Sequence, residues 1–383
     1  MEQSELRQLV SDLVAIPSVN PLEEPLTDIT GEGRLAAFVH ARLQAAGLAA
    51  EVQEVMPGRP NVVARLPGER EEAVLFDAHL DTVSGEGMEA PFAPRVEGDT
   101  VYGRGAADDK GSLAAMMAAL LAVAQRGARP PATVIFTATA DEECQMRGLH
   151  HLLASGVRAR AAVVGEPSNL ELIVAHKGVA RFTITTAGKA AHSSRPDSGA
   201  NAIYRMARVV QALEHYARGG VGRESHALLG KATLSVGVIR GGQYVNVIPD
   251  RCEIDVDRRL LPGEDGRRAV ADVRAYLASA IEEDIGLEVH NPSLLVPGLN
   301  ISVDDPWVHE VGAATRAVVG KLSIDGSQAT THAGVLAEAG IPAVVLGPGA
   351  MGQAHTVDEG LDLHQLEQAA AIYESLMRGG ASA

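Results

Sequence analysis

Cysteine is nearly absent from this chain: Cys144 and Cys252 are the two in 383 residues. That is too few for a disulfide framework, and a reducing cytoplasm is the expected setting. Long apolar runs are missing as well. The longest, LAAMMAALLAVA over residues 113–124, spans 12 residues, which suits a buried helix and falls short of a membrane span. The opening MEQSELRQLV lacks the basic segment and apolar core of a secretory signal. Basic charge is outweighed, with 33 Lys and Arg against 49 Asp and Glu and a net charge of −16. This argues against nucleic acid or an anionic membrane as a partner. No repeat at a fixed period and no low-complexity tract is visible.

What is present is a folded, two-domain composition. Hydrophobic residues make up 46% and charged residues 21%, and the length exceeds one ordinary core. Near-continuous apolar strands at 61–66, 73–78, 132–140 and 161–165 are separated by helical patterns at 32–46, 112–126 and 146–154. The pattern resumes at 334–347 and closes with a helix at 364–378. This is the texture of an α/β domain, a mostly parallel sheet with helices on both faces. Between these halves, 179–188, 231–239 and 252–260 alternate with period two, and helices are expected at 200–217 and 265–283. The order strand–helix–strand–strand–helix–strand is that of a ferredoxin-like α+β domain. The expected division is therefore 1–177 and 294–383 for the α/β domain, with 178–293 inserted.

Five polar groups draw notice. HLD places His79 and Asp81 past a strand, on the same side of an extended chain. GRGAADDKG places Asp108 and Asp109 before an apolar helix, where one of them reads as an ordinary cap. TADEECQ places Asp141, Glu142 and Glu143 past another strand. GEP places Glu166, and GQAHTVDE places His355, each past a strand of its own. Singly, each has a commonplace explanation. Four of the five sit after the C-terminal end of an expected parallel strand, the edge where open α/β sheets bind ligands. Two histidines and at least four carboxylates gathered there would repel without metal, and the donor types suit a pair of zinc ions.

In order along the chain, HLDT, GRGAADDKG, ADEE, GEP, AHSSRP, NVIPD and AHTVDE resemble the dizinc metallopeptidase and deacylase family. That family includes acetylornithine deacetylase, succinyl-diaminopimelate desuccinylase, aminoacylase and the glutamate carboxypeptidases. The resemblance implies a catalytic domain with an inserted lid or dimerisation domain. It implies His79 and Glu166 on one metal, Glu143 and His355 on the other, and Asp108 bridging both. Asp81 would orient His79. Glu142 would be the general base, moving a proton from the metal-bridging water to the leaving amine; which of Glu142 and Glu143 stays unligated rests on the resemblance alone. Asp141 is read as a turn residue or a support to its neighbours.

From the inserted domain, the resemblance implies His192, acting across a dimer on the oxyanion, and Asn246 as a substrate contact. It also implies Arg259 as the clamp on a substrate carboxylate, with Arg258 the alternative if the register differs. Two departures stand out. Cys144 follows the glutamates where glycine is common, and His332, in ATTHAG, stands where Asp is common. His332 is either a contact to the substrate or a packed structural residue. The expected function is a cytoplasmic, homodimeric, metal-dependent amidohydrolase that cleaves N-acyl amino acids or short peptides. Its cofactors are expected to be two divalent ions, zinc first, with cobalt or manganese also suited. A dipeptidase or carboxypeptidase is the alternative within the family, and a non-catalytic metal-binding regulator the alternative outside it.

Overall fold

Strand ends in this chain are set by where apolar alternation stops and a polar or glycine-rich loop begins. The computed structural model describes residues 2–127, 129–219, 221–222 and 224–380. They divide into two compact units. The first comprises Met1–Val174, Ile301–Asp325 and Thr331–Ala383; the second comprises Ala175–Asn300 and Gly326–Thr330.

In the first unit, four parallel strands form the middle of the main sheet, in the order Ala132–Thr139, Arg70–His79, Ala161–Val164, Ala343–Val345. Antiparallel strands extend it: Arg59–Leu66 and Ala49–Met56 on one side, Leu172–His176 on the other. Period two sends Val74, Phe76 and Ala78, with Val134, Phe136 and Ala138, into one core. Residues of helices Gln3–Val14, Gly33–Ala45, Lys110–Gln125, Pro306–Val319 and Leu363–Met377 complete that core. The helix Lys110–Gln125 is buried on nearly every side, which is why its sequence is apolar all round rather than striped. The alternate strand residues, among them Asn61 and Asp77, face helices Arg147–Ala154 and His332–Glu338. Among the described residues no helix is long and apolar enough to cross a membrane.

The second unit is an antiparallel sheet in the order Thr233–Gly241, Arg251–Leu260, Gly178–Ala187. Beside the last of these lie Leu287–Val289 and Leu294–Val296. Helices Ala202–Arg218 and Gly266–Ala280 cover one face, packing Met206, Val209, Leu213, Val270, Val273 and Leu277 on Phe182, Ile184, Ile254 and Val256. The element order is that of the ferredoxin-like pattern. This unit runs past residue 293, because Leu294–Val296 pairs with Gly178–Ala187; three residues are too few for alternation to be read.

Candidate metal centre

Because the four middle strands are parallel, their C-terminal ends fall on one edge, and each carries a polar group. His79 ends its strand, Glu142 and Glu143 follow Thr139, Glu166 follows Val164, and His355 lies in the loop after Val345. Asp108 arrives from the turn before Lys110–Gln125. Its Oδ1 lies 3.0 Å from His79 Nε2 and its Oδ2 lies 3.2 Å from His355 Nε2. His355 Nε2 is also 3.1 Å from Glu143 Oε1. Two donor sets result, His79–Glu142–Glu166 and Asp108–Glu143–His355, each with its ligand atoms within 4.8 Å of one another.

Supports beneath these groups are specific. Asp81 accepts the Glu142 N–H on Oδ1 at 3.0 Å and the Glu143 N–H on Oδ2 at 3.1 Å, and Asn20 donates to Oδ2 at 2.8 Å. His79 Nδ1 meets the Asp81 backbone carbonyl at 2.8 Å, while its nearest Asp81 carboxylate oxygen is 3.7 Å away. The ring is therefore oriented mainly by the Asp81 main chain, and the Asp81 side chain shapes the glutamate loop instead. Asp109 is the residue before the helix, yet its side chain makes no cap. Its Oδ2 accepts the His79 N–H at 3.3 Å.

Asp141 takes a left-handed backbone (φ 70°), as does His355 (φ 63°), a conformation that costs a non-glycine residue about 1–3 kcal/mol. At Asp141 that cost is offset by bonds. Its N–H donates to Glu32 at 3.1 Å, and its carboxylate receives Arg59 at 2.9 Å, Arg147 at 2.6 Å and Asn20 at 3.1 Å. Arg59 also pairs with Glu32 at 2.7 Å, both being buried. A second brace holds the Asp108 turn. Buried Glu359 accepts the N–H groups of Gly105, Ala107 and Asp108 at 2.9–3.1 Å, and its Oε2 meets Arg104 at 2.5 Å.

The electrostatics suit the binding of cations. Burial, reinforced by Glu143, Asp81 and Asp108, raises the Glu142 carboxyl well above the ordinary range. Burial with Asp108 and Glu142 does the same to Glu166, and burial raises Glu143. Burial also presses on Asp108, but hydrogen bonds from His355 and His79 pull it below the usual range. Bonds to Asp108 and Glu143 push His355 up to about 10. Mixed imidazole and carboxylate donors suit zinc, cobalt or manganese, whereas calcium takes all-oxygen shells. The residues present thus fit a pair of divalent ions.

Residues 75–379 match the model of peptidase family M20/M25/M40. The chain belongs to that family. It is 31% identical over 378 residues to acetylornithine deacetylase of Myxococcus xanthus, covering 96% of this chain and 95% of that one. It is 27% identical to N-formyl-4-amino-5-aminomethyl-2-methylpyrimidine deformylase of Halalkalibacterium halodurans, covering 96% and 92%. Among solved structures it superposes on the M20 metallo-carboxypeptidase Sso-CP2 of Sulfolobus solfataricus with a TM-score of 0.81, 18% identity and 99% coverage of both chains. Its chemistry is metal-dependent hydrolysis of amide bonds.

As an M20/M25/M40 chain it carries further polar residues in the second unit. His192 is exposed on the short strand Ala191–His192, and its Nδ1 meets Ser194 Oγ at 2.8 Å. Asn246 is exposed, and its carbonyl accepts the Ser193 N–H at 3.0 Å. Arg259 is half-buried, donating to Asp257 at 2.7 Å and to Thr330 Oγ1 at 3.2 Å. Arg258 lies on the core face of the strand and pairs with Glu264 at 3.0 Å. His332 is set against Asp77. It is 1% exposed, and its Nδ1 lies 2.7 Å from Asp77 Oδ2. Asp77 also accepts from Thr137 at 2.6 Å and Thr139 at 3.2 Å. His332 is packed, and its partner Asp77 lies within the strand Arg70–His79.

The sequence reading assigned no role to Asn20, Glu32, Arg59, Asp77 or Glu359. Glu359 stood inside a motif already singled out, AHTVDE, and its fixed distance from His355 was a usable signal. Asp77, an acid within an apolar strand, was another. Glu32 and Arg59 carry no local signal, since they meet Asp141 only through the fold.

Proposed function

We propose that the chain is an N-acyl amino acid amidohydrolase working with two divalent ions, zinc in the first place. The observation that carries this is Asp108, with one carboxylate oxygen toward His79 and the other toward His355. One donor set is then His79, Asp108 and Glu166; the other is Asp108, Glu143 and His355. Glu142 lies within ligand reach of the first set but is not needed to complete it. When bound, the ions supply Lewis acidity to the scissile carbonyl and make water a competent nucleophile near neutral pH.

In this reading Glu142 accepts a proton from the attacking water and delivers it to the leaving nitrogen. A carboxyl left free of metal can take up and give back a proton within one cycle. Asp81 fixes the backbone on which Glu142 and Glu143 sit, so the two diverge in role though adjacent. His192 and Asn246 stabilise the tetrahedral oxyanion, and Arg259 takes the substrate carboxylate through its planar fork. The chain acts in the cytoplasm as a homodimer in which His192 serves the site of the other copy. The apolar residues Val238 and Ile239, exposed on the edge strand Thr233–Gly241, support a second copy as the partner of that edge.

The named deacetylase and deformylase relatives favour acyl substrates over peptides. A panel of acetyl-, succinyl- and formyl-amino acids and dipeptides, assayed with defined metal, tests this; dipeptides cleaved far faster than acyl-amino acids would turn the reading to a dipeptidase. For the roles, Glu142→Ala should keep both metals and lose nearly all turnover, whereas Glu143→Ala should lose metal. Equal metal content in the two variants refutes the division.

A further inference from the structure

At the edge of the main sheet opposite the metal centre lies a cavity of about 360 Å³ that the proposed chemistry does not use. It opens at the starts of Arg70–His79 and Ala132–Thr139 and beside Arg160, just before Ala161–Val164. At their far ends these three strands lead to His79, to Glu142 and Glu143, and to Glu166. At about 3.3 Å per residue, the eight residues of Ala132–Thr139 hold the two places about 23 Å apart. The volume falls at the lower end of the range for small-molecule sites, about 300–1,000 Å³.

Four charged side chains line the cavity, and they are not all spent on one another. Arg160 Nη2 lies 3.0 Å from both carboxylate oxygens of Glu310, and its guanidinium lies over the Trp307 ring, 5.1 Å from the centroid. That pair is closed. Arg160 Nε is shielded from water and makes no hydrogen bond; Glu72 Oε2 stands 3.9 Å away, beyond bonding distance. Exposed Glu72 makes no closer ion pair among the described residues. Arg70 gives its Nε to the Pro131 carbonyl at 3.1 Å, and its terminal nitrogens meet no carboxylate of the described residues. One spare guanidinium and one spare carboxylate therefore share the cavity with Val74, Val134, Leu376 and Met377, each at most 3% exposed. The helix Leu363–Met377 also ends here, and the carbonyls of a helix C-terminus favour a cation. An anion alone would face Glu72 and Glu310, and a cation alone Arg70 and Arg160, so a molecule carrying both charges is the one that fits. We infer that this cavity is a second ligand site, for a free amino acid with an apolar side chain. Its carboxylate meets Arg70, its ammonium meets Glu72, and its side chain rests on the apolar wall. Such a molecule is also what the proposed hydrolysis releases, but binding here does not rest on that reaction.

Trp307 is the single tryptophan of the chain and packs under Arg160, so intrinsic fluorescence reads this cavity. The metal-loaded protein is titrated with L-leucine, with glycine, with leucinamide, which lacks the carboxylate, and with 4-methylpentanoate, which lacks the ammonium. L-leucine should give a saturable change with a Kd on the order of 1 mM. Arg70→Met and Glu72→Gln should each weaken that binding by about 5- to 10-fold. Both residues are exposed and far from the metal centre, so turnover of N-acetyl-L-methionine should stay within about 2-fold. No saturable change with L-leucine up to about 10 mM, a tenfold excess over that Kd, overturns the inference. So does binding of glycine, leucinamide or 4-methylpentanoate as tight as that of L-leucine. Unchanged L-leucine affinity in both variants puts the amino acid elsewhere and overturns it too. A chain that binds L-leucine here yet cleaves no N-acyl amino acid would sink the proposed function and leave this site standing.

Discussion

The two units hold their polar residues in opposite ways. At the strand ends of the first unit, Glu142, Glu143 and Asp108 rest on braces. Asp81 receives the Glu142 and Glu143 N–H groups, Glu359 receives the Asp108 turn, and Asp141 is gripped by Arg59, Arg147 and Asn20. In the second unit, His192 and Asn246 are exposed and bonded only to near neighbours in sequence or across a two-residue ladder. The contrast follows from the chemistry. Several carboxylates can be gathered in a buried place only if the backbone bears them against mutual repulsion, so stability and function share the same residues. Groups that meet a substrate from solvent carry no such burden.

Removing a brace is the most severe way to probe that contrast. Arg59→Met leaves Glu32 buried without its cation and Asp141 with Arg147 alone. Breaking a buried pair costs about 3–5 kcal/mol, so thermal or urea unfolding should show a loss of that size together with loss of metal. A variant as stable as wild type would show the brace to be dispensable.

Metal linkage comes next. His355 is held up to about 10 by Asp108 and Glu143, and His79, despite burial, is raised well above its ordinary value by Asp108 and Asp81. Both folded pKa values exceed the unfolded value of about 6.5. The stabilisation they give the metal-free protein is therefore complete below about pH 6.5 and lost as pH rises through the folded values. Bound metal needs the same nitrogens deprotonated, so affinity rises with pH and binding releases protons. The gap in unfolding free energy between metal-loaded and chelated protein should widen from pH 6 to 9, reaching about 4 kcal/mol with metal at 1,000 times its Kd. A gap that narrows would contradict the donor set.

His332→Phe removes one of three donors to Asp77. The expected loss is about 1.5–3 kcal/mol in stability, the range for a hydrogen bond to a charged group, with KM unchanged. A KM shift beyond a few-fold, with little change in stability, would make His332 a substrate contact. The smallest effect on stability belongs to the second unit: His192→Ala should leave unfolding within about 0.5 kcal/mol of wild type. Its kcat should fall by about 10²–10³, as for loss of an oxyanion donor. A destabilised His192 variant would erase the contrast between the units.

Strand ends, the inserted unit and the ordered ligand candidates were legible in sequence because each depends on local pattern: alternation, a run of β-branched residues, a polar stop. Asp81 was legible as a site residue, but its task was not, since a carboxylate two residues from a histidine could face the ring or a neighbouring loop. One of Asp108 and Asp109 read as a helix cap for the same reason; Asp109 precedes the helix, and its carboxylate turns instead to the His79 N–H.

From the sequence alone came the class of the fold, the family, and which carboxylates and histidines meet at one edge of a sheet, because parallel strands force their ends together. Tertiary structure alone decided how those charges are tolerated. Glu32, Arg59 and Asp141 are drawn from distant segments, as are Asp77 and His332, and Arg259 and Thr330. A pair of charges attracts through space, and only the folded chain says which charges are near.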